Sequence, residues 1–414
     1  MIKLPELLAP AGTLDAFRTA ILYGADAIYA GLPGFSMRAR AKITADEVKA
    51  GIELAHAAGK KVYLAFNLFA HEGEFANMPR VSEMIRYLSP DALIVSDPGV
   101  LLWVRENHPD IPIHISTQAN ICSSASVKFW QAAGASLCVL AREVLHNEFI
   151  NIRKACPDIK LEIFVHGAMC MSYSGRCLLS NFITGRPANR GACAQLCRWK
   201  YDVVLRECET GIEMPISEDE RGAYIMNSKD LCLMPRLAEV LDSGPDSLKI
   251  EGRNRSEYYV GSVVHAYRCA MDAYARSPEN FDPAPYMEML NILESRGYTT
   301  AFFDGPLPPD AHNYDSARSA SDYHAAGVIT DVVSDSFVME LRNEIKPNEV
   351  ITFVLPNVAQ GASVQLPQII DAKTRNTCPK MSAGQKNAIF IPREWMPAGV
   401  ADKIVPLVLA YKHK

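Results

Sequence analysis

Short apolar runs alternate with longer stretches of helical periodicity through the first two-thirds of the chain. The strand-like runs fall at Glu6–Ala9, Ala27–Ala30, Lys61–Phe66, Ala92–Val95, Ile113–Thr117, Leu137–Ala141, Leu161–His166 and Ser247–Glu251. Between and after them, apolar residues recur at helical spacing over Thr13–Tyr23, Thr44–Ala58, Pro79–Leu88, Val100–Asn107, Ser123–Ala133, Leu145–Ala155 and Tyr258–Ala275. Thr44 and Asp46 precede an apolar-periodic run, where a helix start is expected. Gly24, Gly59 and Gly134 fall just past helical segments, where a left-handed residue ends a helix most easily. Repeated strand-then-helix units predict parallel strands joined by crossover helices, and eight strands favour a closed (β/α)8, TIM-like barrel over a doubly wound sheet. The runs are almost continuously apolar, as strands buried on both faces must be.

Polar residues collect at the carboxyl ends of these strands: Asn67, Ser96 with Asp97, Gln118 with Asn120, Arg142 with Glu143, His166, and Glu251 with Arg253. In a barrel those ends converge on one mouth, the face that carries chemistry. A strand ending in a polar residue is ordinary loop chemistry. The same feature on nearly every strand predicts a site.

The rhythm breaks between Cys170 and Asn227, a segment rich in Gly, Pro, Asn and charge that includes the acidic run Glu218-Asp219-Glu220. Loops of that length are functional or disordered, and this one holds the densest cysteine cluster, so a metal is expected to order part of it. Residues from Ser277 to Pro308 read as a connector with one helix near Tyr286–Glu294. Beyond Ser321 come short β-like runs at Ala326–Val332, Phe337–Leu341, Glu349–Val354, Ala388–Ile391 and Ile404–Leu407, separated by turn residues. The expected organisation is a barrel over residues 1–278 with a Cys-rich loop at 167–227, a connector at 279–320, and a small all-β, barrel-like domain at 321–414.

Composition narrows the function classes. Of 414 residues, 49% are hydrophobic and 21% charged, which is globular and excludes a disordered or collagen-like chain. No apolar run approaches the ~18–20 residues that span a bilayer, so no membrane role is expected. The first residues lack the n-region and h-region of a signal peptide, which predicts a cytoplasmic protein. A net charge of −5 excludes a protein that coats nucleic acid over its whole surface, yet leaves room for a local basic patch.

The odd count of eleven cysteines does not fit a complete disulfide framework; in a reducing compartment clustered thiols read as metal ligands or redox groups. Cys170 and Cys177, then Cys193 and Cys197, form two pairs within one loop. Soft thiolates suit zinc or an iron–sulfur cluster, and the spacing alone does not choose between them. Gly167, Gly175 and Gly191 give the backbone freedom to wrap tightly. Cys122, Cys138, Cys156 and Cys269 stand in apolar contexts and are expected to be buried structural thiols. Cys232, expected at the start of a helix, competes with Cys197 as fourth ligand. Arg176, Arg186, Arg190, Arg198 and Lys200, interleaved with Tyr173, Trp199 and Tyr201, are the residue types that clamp phosphates and stack bases.

Several blocks carry a resemblance. Glu162-Ile163-Phe164-Val165-His166-Gly167-Ala168-Met169-Cys170 with Ser174-Gly175-Arg176-Cys177-Leu178-Leu179-Ser180 resembles the signature of the collagenase-like peptidases of unassigned type. Glu6-Leu7-Leu8-Ala9-Pro10-Ala11-Gly12, Asn227-Ser228-Lys229-Asp230-Leu231 and Ser247-Leu248-Lys249-Ile250-Glu251-Gly252-Arg253 are similar to further blocks of that family, and the likeness covers almost the whole chain. The members it resembles most take part in prephenate-dependent hydroxylation of the tRNA wobble uridine to 5-hydroxyuridine. Others hydroxylate a cytidine of ribosomal RNA or quinone precursors. The resemblance implies a [4Fe-4S] cluster on Cys170, Cys177, Cys193 and Cys197, with tRNA, prephenate and an electron-donor protein as partners. Under that reading His166, Glu143 and Glu251 are candidates for proton transfer, which wants a group titrating near neutrality. Arg142, Arg253 and Lys249 are candidates for holding the carboxylates of prephenate or a phosphate, with Arg198 from the basic loop on the RNA. Asn67 and Gln118 are candidates for reading a base edge or a small-molecule carbonyl. The family's label implies a rival, a cysteine-type peptidase, but a cysteine committed to a cluster cannot be a nucleophile and no H-E-x-x-H helix is present. A third reading is an RNA-binding scaffold with structural zinc.

Overall fold

A computed structural model describes residues 3–35, 43–67, 70–169, 179–184, 186, 193–196, 204–206, 213–215, 229–305, 321–384 and 386–414. Seven strands run in sequence: β1 (Glu6–Pro10), β2 (Ala27–Gly31), β3 (Lys61–Phe66), β4 (Ala92–Val95), β5 (Ile113–Ile115), β6 (Leu137–Val139) and β7 (Lys160–Ala168). A short hairpin, β8 (Val204–Arg206) with β9 (Glu213–Pro215), lies within the long insertion, followed by β10 (Asp230–Cys232) and β11 (Ser247–Ile250). Each of β1 to β6 pairs in parallel with the next. β11 closes the ring by pairing in parallel with both β7 and β1, placing Lys249 opposite Phe164 and Leu8. This is the expected eight-stranded parallel barrel.

Helices α1 (Leu14–Leu22), α2 (Ala45–Ala57), α3 (Glu72–Phe75), α4 (Met78–Leu88), α5 (Pro98–Asn107), α6 (Ser124–Ala132) and α7 (His146–Ala155) cross between the first seven strands. α8 (Leu179–Thr184) lies in the insertion; α9 (Leu237–Asp242) precedes β11, and α10 (Glu257–Arg276) and α11 (Ala284–Asn291) follow it. Thr44 caps α2: its side chain accepts from Glu47 N–H while the Glu47 carboxylate accepts from Thr44 N–H, so two orphan donors are satisfied. Gly24, Gly59 and Gly134 all take positive φ, as their positions past the helices predicted.

Alternation along the strands separates two environments. Leu8, Ala27, Tyr29, Tyr63, Ala65, Ala92 and Ile94 form a cluster of their own within the barrel. The residues between them, among them Leu7, Ile28, Val62, Leu64, Leu93 and Val95, belong to the large core shared with the helices. Buried polar groups stand on the lumen face as well, because the ring of His114 meets that of Tyr63 at 4.6 Å and Lys249 Nζ lies 4.4 Å above the ring of Tyr29.

After β12 (Tyr298–Thr299), the C-terminal region forms one curled antiparallel sheet separate from the barrel: β13 (Tyr323–Val332), β14 (Ser336–Leu341), β15 (Val350–Val354), β16 (Ala362–Gln365), β17 (Ile369–Asp371), β18 (Thr377–Cys378), β19 (Ala388–Pro392) and β20 (Leu409–His413). The expectation of a strand at Ile404–Leu407 is corrected. That stretch holds a turn with Leu407 at φ 73, and the strand begins at Leu409, since a left-handed residue interrupts the ladder. The helix expected near Tyr286–Glu294 runs from Ala284 to Asn291. Tyr23, which caps the C-terminus of α1, joins the two regions, its hydroxyl donating to the Val354 carbonyl (2.8 Å) and accepting from Leu409 N–H (3.0 Å).

Candidate functional site at the barrel mouth

At the carboxyl ends of β3, β4 and β5 the lumen-facing alternation continues into Asn67, Ser96 and Ser116, all buried. Ser116 organises this arc: its hydroxyl accepts from Asn67 Nδ2 at 3.4 Å and from Gln118 N–H at 3.3 Å. Gln118 sits on the turn immediately after β5 and is 9% exposed, and the Asn120 side chain donates to its carbonyl at 2.8 Å. Ser96 Oγ, Gln118 Oε1 and Asn120 Oδ1 are buried and find no hydrogen-bond partner among the described residues. Asp97, next in sequence, is spent on α5, accepting from Gly99 and Val100 N–H.

The opposite arc is charged. Lys249 on β11 donates to Glu162 on β7 at 2.7 Å, and Ser247 donates to the other carboxylate oxygen at 2.9 Å; both charged side chains are almost fully buried. Burial pulls the Lys249 ammonium below its usual range, opposed by the adjacent carboxylate of Glu162. The Arg253 guanidinium lies 5.7 Å from the ring of Tyr29, and that of Arg142 stacks 4.1 Å above Phe164 while Nη1 donates to the Ala168 carbonyl (2.7 Å). Two glycines permit this crowding. A Cβ on Gly12 would lie 1.9 Å from the Arg253 carbonyl oxygen, and Gly167, at φ 123, has Glu251 within 2.7 Å of where its Cβ would be.

The proton-transfer candidates separate. His166 is 1% exposed and packs against Tyr259, Tyr267 and Tyr298 from the elements behind the strand, so burial drives its pKa down to about 4 and leaves it neutral at pH 7. A register shift on β11 between Lys249 and Ile250 accounts for the placement, pairing His166 with the outward-facing Ile250. Glu143, partly buried after β6, has its carboxyl raised above the usual range by desolvation. Glu251 accepts through its backbone carbonyl from Tyr259. Sequence reasoning missed Glu6, at the amino end of β1. Its carboxylate accepts from the Tyr63 hydroxyl at 2.9 Å, and burial raises its pKa to about 7. The signal was an acidic residue inside an otherwise apolar strand.

Of the cysteine set, Cys193 is described; Cys170, Cys177 and Cys197 lie outside the described residues, as does Arg198. Cys193 is half-buried, and Gln195, in the left-handed region at φ 59, turns its backbone N–H toward Cys193 Sγ at 3.3 Å. An N–H donor aimed at sulfur fits a thiolate ligand of an iron–sulfur cluster, where such bonds tune the potential. Among the described residues no group of three metal-ligating side chains converges. Cys232 is corrected: it lies in strand β10, opposite His166 on β7, rather than at a helix start. Its buried sulfur meets the Tyr267 hydroxyl (3.9 Å) and Met287 Sδ (3.7 Å), and burial pushes the thiol up to about 11. Cys122 is exposed, against the expectation of a buried thiol, because it follows the last residue bridged to the sheet, Ile121. Cys138, Cys156 and Cys269 are buried as expected.

The β7–β10 ladder, Ala168 opposite Asp230, brings the two stems of the cysteine-bearing insertion side by side at this mouth. Asp230 is buried between Arg296 (2.5 Å) and Arg255 (3.5 Å), which pins the returning stem.

The family model described as peptidase family U32 matches residues 12–313. The chain belongs to peptidase family U32. It is 38% identical over 401 residues to "tRNA hydroxylation protein P" of Escherichia coli, covering 87% of this chain and 86% of that protein. It is 35% identical over 274 residues to the "23S rRNA 5-hydroxycytidine C2501 synthase" of the same organism, covering 65% of this chain and 39% of that one. A protein named "Collagenase" from Porphyromonas gingivalis is 32% identical over 328 residues, covering 76% and 77%. The relatives thus include proteins named for RNA hydroxylation and one named for proteolysis, and the family name alone does not choose between them.

Proposed function

We propose that this protein is an RNA-modifying enzyme that takes part in hydroxylating the tRNA wobble uridine to 5-hydroxyuridine, with prephenate as co-substrate and an electron-donor protein as partner. What carries the reading is the 38% identity, across most of both chains, to a protein named for tRNA hydroxylation. Replacing C5–H by C5–OH is a two-electron oxidation beyond ordinary side chains, so the oxidant and the oxygen atom come from a co-reactant; a [4Fe-4S] cluster would supply redox chemistry when bound. Cys170, Cys177, Cys193 and Cys197 are its proposed ligands, supported by the N–H donor on Cys193 Sγ. Arg142, Arg253 and Lys249 supply positive charge for the carboxylates of prephenate or an RNA phosphate, with Arg198 on the RNA. Glu143 and Glu251 move protons at the mouth; a raised carboxyl such as that of Glu143 suits general acid work. The neutral His166 holds the strand among its tyrosines. No helix among the described residues is long and apolar enough to cross a membrane.

A cysteine peptidase fits less well. Among the described residues, Cys269 and His265 stand as a thiol–imidazole pair, 3.7 Å apart on α10. Burial pushes the thiol up to about 11 and the imidazole down to about 4, so both favour the neutral form and the pair is poorly suited to nucleophilic attack. The test is nucleoside mass spectrometry of tRNA from cells lacking the protein, together with metal analysis of protein purified without oxygen. The proposal expects loss of 5-hydroxyuridine-derived nucleosides and about four irons per chain. Unchanged nucleosides in cells with no parallel pathway, or zinc in place of iron, would overturn it.

A further inference from the structure

We propose that the carboxyl ends of β3, β4 and β5 form a neutral subsite for the hydrogen-bonding edge of a pyrimidine base, set apart from the cationic groups that take an anion. The inference rests on the RNA reading above and assigns the base to particular residues. Ser96 and Gln118 are each more than nine-tenths buried, and Ser96 Oγ and Gln118 Oε1 lack partners among the described residues. Leaving such atoms unpaired is unfavourable, so their retention at the ends of the neighbouring strands β4 and β5 points to a ligand that pairs them. Asn120 Oδ1, on the same turn, is a third such atom. Ser116 fixes the geometry by accepting from Asn67 on one side and Gln118 N–H on the other.

The chemistry of the arc selects the ligand. The carboxylate next in sequence, Asp97, turns its Oδ1 to the α5 cap, and Asn67, Ser96, Ser116, Gln118 and Asn120 themselves present hydroxyl and amide groups with no formal charge. Unpaired carbonyl oxygens repel an anion and accept from N–H. A side-chain amide pairs in the plane with adjacent N–H and C=O groups, which is what a flipped pyrimidine offers along its edge. Phosphates and carboxylates are left to Arg142, Arg253 and Lys249, across the mouth.

The test uses the full-length protein, purified without oxygen, and two anticodon stem-loop RNAs: one with uridine at the wobble position, one abasic there. Binding is read by fluorescence anisotropy. Wild type is expected to bind the abasic RNA about 10-fold more weakly than the uridine RNA, the worth of one good base contact. Ser96→Ala and Gln118→Ala should bind the uridine RNA about 10-fold more weakly while binding the abasic RNA as wild type does, which also reports that they fold. Arg142→Ala should weaken both RNAs alike. If the Ser96 and Gln118 variants weaken both RNAs equally, or neither, the subsite is overturned and the unpaired atoms serve ordered water. If wild type binds both RNAs with one affinity, the subsite falls while the RNA reading stands. If it binds neither, both fall.

Discussion

The C-terminal sheet packs Ile329, Phe337, Ile351, Phe353, Ile389 and Ile391 into an apolar cluster, the kind of interior that fixes a fold. The barrel lumen, of comparable depth, holds Glu162, Lys249, His114, Ser116 and Asn67 beside its tyrosines. A barrel interior is ordinarily filled by layers of branched aliphatic side chains. Polar groups there lower stability unless each is paired, so their presence marks the part of the molecule whose interior is constrained by more than folding.

The sharpest way to break that contrast is the Lys249–Glu162 pair. Lys249→Met should lower the unfolding free energy by about 3–5 kcal/mol, because it strands a carboxylate of which 1% is exposed. Urea denaturation measures it. Adding Glu162→Leu should restore most of the stability, since an apolar pair of similar volume fills the space as well. Hydroxylation should stay lost in the double variant. If stability and hydroxylation return together, the lumen charge is structural and the contrast with the C-terminal sheet is empty.

Much of this contrast was legible before the fold was known. The eight barrel strands follow from apolar runs of the right length, and the mouth follows from the polar residue that ends each run, because parallel strands bring those ends together. What sequence could not show is pairing. Strand β10 reads as a helix start because Asp230-Leu231-Cys232 is too short to carry a period, and its place is decided by a ladder to Ala168 and His166, more than sixty residues away by number. His166 reads as a titrating mouth residue because a β-bulge that turns it toward Tyr259 and Tyr267 leaves no trace in local pattern. Ile404–Leu407 has strand composition and fails only through the backbone of Leu407.

An effect of intermediate size comes from pH. Folding raises the Glu6 pKa from 4.5 to about 7, chiefly by burial, so the folded state prefers the protonated acid. A raised folded-state pKa gives stability that is whole below pH 4.5 and is lost as pH climbs through 7. Burial acts oppositely on His114 and His166, held down at about 3 and about 4, whose neutral forms favour the fold above pH 6.5 and less as pH falls. The Glu6→Gln difference isolates the first limb: relative to wild type, the variant should gain about 2–3 kcal/mol between pH 4.5 and 7.5 and nothing further above pH 8. A flat difference across that range would mean the carboxyl is hydrated and the lower lumen is wet.

The smallest effect tests the other side of the comparison. Ile351 on β15 is fully buried, opposite Val364 on β16, in a strand paired on both edges. Ile351→Val removes one methylene from an apolar cluster, so unfolding in urea should become easier by about 1 kcal/mol. Because Ile351 belongs to the sheet's own cluster and not to the core shared with the barrel, a cavity of one methylene should stay local and leave hydroxylation and RNA affinity at wild-type levels. If this substitution instead lowers hydroxylation as Ser96→Ala or Gln118→Ala does, the C-terminal core transmits to the mouth. Its interior then belongs with the barrel lumen, as a part of the reacting machinery rather than a support for it.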